Sequence, residues 1–145
     1  MKSKLLSDRE GEKTYALIFD IGDEVMSTLL AFARANQLAG SRFEAIGAFQ
    51  DVTLAYFVWE KKQYAPIPIR EQVEVISLLG DIALGPDGQP ALHAHVVVGK
   101  SDGTAHGGHL VQAHVRPTLE VIITESPTHL QRKIDPATGL ATIQF

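Results

Sequence analysis

Hydrophobic and polar positions divide this chain into one helical stretch and a long series of strands. Thr14 to Phe19 is rich in β-forming residues and predicts a first strand. Asp20, Gly22 and Asp23 interrupt it. Val25, Met26, Leu29, Leu30, Ala33 and Leu38 then recur at helical spacing, which predicts a helix from about Asp23 to Leu38. The Asp-Glu pair at its start suits the positive end of a helix dipole, and Asn36 and Gly40 end it. No later segment repeats that period.

The remainder reads as strands. Ser41 to Phe49 and Asp51 to Trp59 form two runs with a break near Gly47 to Asp51. Lys61 to Pro68 reads as a loop or irregular crossover, stiffened by Pro66 and Pro68. Val73 to Leu84 is a long run, with Val73, Val75, Ser77 and Leu79 on one face and Glu74, Ile76, Leu78 and Gly80 on the other. Gly85-Pro86-Asp87-Gly88 is a turn. Ala91 to Val98, Gly107 to Val115 and Thr118 to Thr124 follow as strands, and a turn at Asp135 to Gly139 precedes Leu140 to Phe145. Residues 1–12 are polar and predict a flexible lead-in, which leaves residues 13–145 as one domain. Strand–helix alternation stops after the first helix, and no Gly-rich dinucleotide or Walker pattern occurs. The expected fold class is therefore α+β, a largely antiparallel sheet packed with one main helix.

Composition narrows the chemistry. The chain has 145 residues, no cysteine, and 13 Lys and Arg against 17 Asp and Glu, a formal net charge of −4. Disulfides, thiolate nucleophiles and Cys-type zinc sites are excluded. A small acidic domain has no general attraction for DNA phosphates or an anionic membrane. No apolar run is long enough to predict a membrane span, and no sustained apolar stretch follows the early lysines as in a signal peptide, so a cytoplasmic location is expected. Any metal must be held by histidine and carboxylate, and five of the six histidines lie between His93 and His114.

The spacing of those histidines is informative. Side chains alternate along a strand, so His93 and His95 share one face, about 7 Å apart. If the loop is Ser101 to Gly103 and Lys100 lies opposite Thr104, His109 on the returning strand falls opposite His95. His93 is then its diagonal neighbour. A two-residue turn at Asp102-Gly103, or a bulge at Gly107-Gly108, would break this register. His106 and His114 lie at odd spacing from His109 and point the other way on a regular strand. Three neutral imidazoles with an open fourth position match the preferences of zinc; packing histidines in a sheet are the alternative.

Several blocks together resemble the plants-and-prokaryotes-conserved (PPC) domain. They are Gly47-Ala48-Phe49 with Val52 to Phe57, Glu71 to Gly80, Gly88 to His95, Asp102-Gly103 to Leu110, and Pro117 to Val121 with Thr124-Glu125. The resemblance spans about residues 14–144. It implies an α+β domain, a homotrimer, and a divalent metal, zinc or another, on His93, His95 and His109. Plant members add an AT-hook for the DNA minor groove. This chain has no Arg-Gly-Arg-Pro element, and Arg132-Lys133 lacks the flanking glycine and proline. Where plant members carry Gly-Arg-Phe-Glu-Ile-Leu for nuclear partners, this chain reads Glu71-Gln72-Val73-Glu74-Val75-Ile76.

Three functions follow as expectations. The first is a small homotrimeric binding or regulatory protein with a three-histidine metal site and a small-molecule ligand there. The second, by family resemblance, is a DNA-binding regulator, disfavoured by net charge and the missing AT-hook. The third is a zinc-dependent hydrolase, with Glu120 or Glu74 as the candidate general base acting on metal-activated water. Whether the protein is an enzyme stays open at this level.

Overall fold

The computed structural model describes residues 1–145. The elements are β1 (Lys2–Arg9), β2 (Glu12–Phe19), α1 (Val25–Ala35), β3 (Gly40–Val58), β4 (Gln63–Ile69), β5 (Val73–Leu84), β6 (Pro90–Gly99), β7 (Ala105–Glu125), β8 (Arg132–Ile134) and β9 (Ala141–Ile143). A single 3-10 turn, Trp59–Lys61, separates β3 from β4. The antiparallel sheet and single helix are as expected, but the chain is mostly β.

Several local expectations change. Residues 2–9 form a strand instead of a loose lead-in. β1 pairs with β2 from Lys2 opposite Ile18 to Arg9 opposite Glu12. The connecting Glu10 and Gly11 both take positive φ, 51° and 86°, the geometry of a tight hairpin. The expected break near Gly47 to Asp51 is a set of register irregularities within one continuous β3, and β7 likewise joins two expected strands. Lys61 to Pro68 contains β4, which pairs with β3 alone at the sheet edge. An edge strand tolerates Pro66 and Pro68 because one side of it has no ladder to complete. Finally, a bulge between Val75 and Ser77 changes the phase of β5. Val73, Val75, Leu78 and Ile82 point inward, and Leu79 is 57% exposed on the outer face.

β3 pairs with both β5 and β7, and β6 bridges β5 and β7. The pairings close a ring, β3–β5–β6–β7, whose interior is filled by Phe49, Leu54, Leu78, Ala94, Val96 and Leu110 among others. α1 adds Val25, Leu29, Phe32 and Ala33 to that core. Glu24 starts the helix by accepting the N–H groups of Met26 at 3.1 Å and Ser27 at 2.7 Å. Gln37, at φ 55°, ends it: its N–H bonds Arg34 O at 3.2 Å and that of Leu38 bonds Ala33 O at 2.9 Å. This is a Schellman closure, and it stops the helix before Leu38. At the far end of β7, buried Glu125 accepts the N–H groups of Ala39 at 2.9 Å and Gly40 at 3.2 Å and the Ser41 hydroxyl. That carboxylate fixes the entry into β3.

Because the core takes Ala94, Val96 and Val98, the alternate residues His93, His95 and Val97 of β6 lie on the outer face of the ring. The fold thereby puts the histidines on a sheet-borne outer surface.

Candidate metal centre

The β6–β7 turn closes with Lys100 N–H on Thr104 O at 2.8 Å and Gly103 N–H on Lys100 O at 2.9 Å. This is the three-residue loop, and it sets His95 opposite His109. Val96 and Val97 follow opposite Gly108 and Gly107, so no bulge intervenes at the glycine pair. Asp102 holds the loop by accepting the Thr104 N–H at 2.9 Å and the Thr104 hydroxyl at 2.6 Å.

The three rings converge. Ring centroids are 5.0 Å apart for His93 and His95, 5.3 Å for His93 and His109, and 5.5 Å for His95 and His109. One ring nitrogen from each lies within 4.8 Å of the other two, so the cluster can hold a metal ion. The Nε2 atoms of His93 and His95 are 3.2 Å apart. Zinc–nitrogen bonds of about 2.0–2.1 Å at tetrahedral angles place two donor nitrogens about 3.3 Å apart, so this spacing fits such an ion. Nδ1 of His109 is buried without a hydrogen-bond partner. A buried polar nitrogen left alone is costly, and an ion held by this ring would accompany the burial. No cysteine competes as a ligand, and three imidazoles leave a fourth position for water or a ligand.

The surroundings favour neutral imidazole, the form that binds metal. Burial, then the charges of His93 and His95, push His109 down to about 4. Burial, then His93, lowers His95. Tyr64 of β4 stacks on His109, with centroids 4.6 Å apart and planes 26° from parallel. Tyr56, Phe57, Tyr64, Leu79 and Val97 line an open cleft beside His95 and His109.

The other candidates lie elsewhere. His106 sits opposite Val98, and His114 pairs through Nδ1 with Asp51 at 2.9 Å. Glu74 lies opposite Ala48 and Gly99 in a polar dent with Glu71 and Lys100. Glu120 lies opposite Ile18 and Ile46 in an apolar groove. Neither glutamate is grouped with the histidines. Sequence reasoning missed Asp81, whose Oδ2 faces Nδ1 of His93 at 3.8 Å and whose Oδ1 is bonded by Arg132. The parity argument that aligned His95 with His109 also reaches Asp81. Gly85 pairs back to Gln89 across its turn, with its N–H on Gln89 O at 2.7 Å, and the same register sets Asp81 opposite His93.

The sequence of residues 6–127 matches the family model described as the Plants and Prokaryotes Conserved (PCC) domain. The chain belongs to this family. Solved structures agree with the assignment. A PPC protein from Pyrococcus horikoshii is 31% identical, with a TM-score of 0.85 over 99% of this chain and 95% of that one. A protein from Archaeoglobus fulgidus described as metal-containing is 31% identical, with a TM-score of 0.84 over 92% of this chain and 94% of its own. A "putative DNA-binding protein" from Ralstonia eutropha is 28% identical, with a TM-score of 0.85 over 98% and 96% of the two chains. Among curated proteins, none matches. The PCC domain of this chain contains no helix long and apolar enough to cross a membrane.

Proposed function

We propose that this chain is a homotrimeric metal-binding protein in which His93, His95 and His109 hold one zinc or similar divalent ion and leave a fourth position for a small ligand. The observation that carries the reading is the convergence of three nitrogens from two hydrogen-bonded strands, with two of them 3.2 Å apart. The metal-containing description of the Archaeoglobus relative supports it. The protein acts through binding in this reading. A hydrolase would need an acid or base beside the metal, and neither Glu74 nor Glu120 lines the cleft at His95 and His109. A cysteine-free chain of this kind suits the cytoplasm.

The homotrimer is supported by the outer face of the ring. Ile46 is 62% exposed and Ile76 59% exposed, and both line one groove with Ile18, Leu79 and Ile122. Leu79 also lines the cleft at His95 and His109. An apolar face of this kind is covered in a stable soluble protein, here by neighbouring copies. Equilibrium sedimentation with and without zinc tests the assembly. A mass of about three times the 15.8 kDa chain is expected, and a monomer at micromolar concentration would remove the trimer from the proposal.

The similarity to the Ralstonia protein, a "putative DNA-binding protein", favours DNA binding as a second reading. The net charge of −4 opposes it, and the ring of Trp59 is already covered on one face by Lys62 Nζ at 3.0 Å. A low-salt gel shift with duplex DNA separates the two readings.

A further inference from the structure

Arg132 is 6% exposed, in a chain whose other arginines and lysines are not buried. It belongs to β8, beyond the residues 6–127 matched to the family. A buried guanidinium is costly unless its hydrogen bonds are directed to specific acceptors. Here Nη1 donates to Ala141 O at 2.9 Å, which ties it to β9, and Nη2 donates to Asp81 Oδ1. The other oxygen of Asp81, Oδ2, faces Nδ1 of His93. The Nε2 of His93 is the atom that meets His95. A chain of polar contacts therefore runs from the C-terminal hairpin toward the metal face: the Ala141 carbonyl, Arg132, Asp81 and, at 3.8 Å, His93. The hairpin itself is fixed to the end of β5 by Leu84 N–H on Leu130 O at 2.9 Å.

We propose that Arg132 and Asp81 are positioning residues for the metal. Arg132 holds the carboxylate of Asp81 in place. Asp81, whose Oδ2 lies 3.8 Å from Nδ1 of His93, closes to accept that N–H when His93 holds an ion, which keeps the lone pair on Nε2 and aims it at the ion. A metal-bound histidine whose second nitrogen donates to a carboxylate is fixed in tautomer and orientation, and losing that partner weakens metal binding about 10- to 100-fold. Asp81 sits beside His93 by strand register, whereas Arg132 reaches it from a segment that the family match does not include. The C-terminal hairpin thus reaches the site through Arg132. The inference rests on the three-histidine reading.

The test is zinc affinity, measured by competition with a chromophoric chelator at a temperature where circular dichroism shows each variant folded. Asp81→Asn and Arg132→Met are each expected to weaken zinc binding about 10-fold or more. The double variant is expected to lose no more than Asp81→Asn alone, because Arg132 acts through Asp81. Arg132→Lys should recover part of the loss. Arg42 lies opposite Asp81 on β3 without an ion pair to it, so Arg42→Gln should bind zinc as the parent does. Variants that melt earlier without metal but bind zinc with parental affinity would assign the pair to fold stability and overturn the inference. So would additive losses in the double variant. A parent protein that binds no zinc would instead overturn the three-histidine reading itself, and this inference with it.

Discussion

His95 on β6 and His109 on β7 stand directly opposite each other across the ladder. This pairing depends on the length of the Lys100–Thr104 turn, because one residue fewer would move His109 to the other face of β7. The same turn sends His106 away from the cluster.

That geometry separates histidines that look alike in sequence. His93→Ala, His95→Ala and His109→Ala should each lower zinc affinity by at least about 100-fold, since each removes one of three ligands. His106→Ala and His114→Ala should leave it within about twofold. Chelator competition on the five variants checks this. A large loss in His106→Ala, with His109→Ala unaffected, would mean that the hairpin register is wrong.

The metal-free protein should lose stability in mild acid. His109 is held down to about 4 in the folded chain, against about 6.5 when unfolded. Between those values the unfolded chain binds a proton that the folded chain does not, so stability rises with pH. The contribution is present in full above about pH 6.5 and is lost as pH falls through about 4. Urea midpoints in the presence of chelator should fall over this range, and less steeply in His109→Gln. Equal slopes for parent and variant would refute the assignment.

Glu125→Ala should be among the most destabilising single substitutions outside the apolar core. It leaves two backbone N–H groups and the Ser41 hydroxyl without their buried acceptor. Hydrogen bonds to a charged group contribute about 1.5–3 kcal/mol each but are not additive, so a loss of about 3 kcal/mol is expected in denaturant unfolding. A loss below about 1 kcal/mol would mean that water replaces the carboxylate.

The sequence made the centre more legible than its supports. Helix period located α1, and strand alternation with a correct loop length located the histidine triple. Several features escaped because their signals are not periodic. Proline content concealed β4, whose edge position excuses the missing N–H groups of Pro66 and Pro68. The bulge after Val75 reversed the expected facing of Leu78 and Leu79, since a single extra residue inverts every later side chain. Arg132 reaches Asp81 through tertiary packing, across a separation that no local spacing encodes.

The exposed apolar groove predicts a surface-specific route to dissociation. Ile76→Asp places a charge on the apolar groove proposed to meet neighbouring copies, and should convert the proposed trimer to monomer in sedimentation velocity while far-ultraviolet circular dichroism is unchanged. The equally apolar but separately located Leu5→Asp, on β1, should leave the assembly intact. A trimer that survives Ile76→Asp would place the interface elsewhere.

The most direct measurement is the metal content of untagged protein, purified without chelator and analysed by inductively coupled plasma mass spectrometry beside His95→Ala. The three-histidine centre predicts about one zinc or other divalent ion per chain in the parent and almost none in the variant, with a higher melting temperature for the loaded parent. Metal-free parent protein whose melting temperature does not move on adding zinc would contradict it.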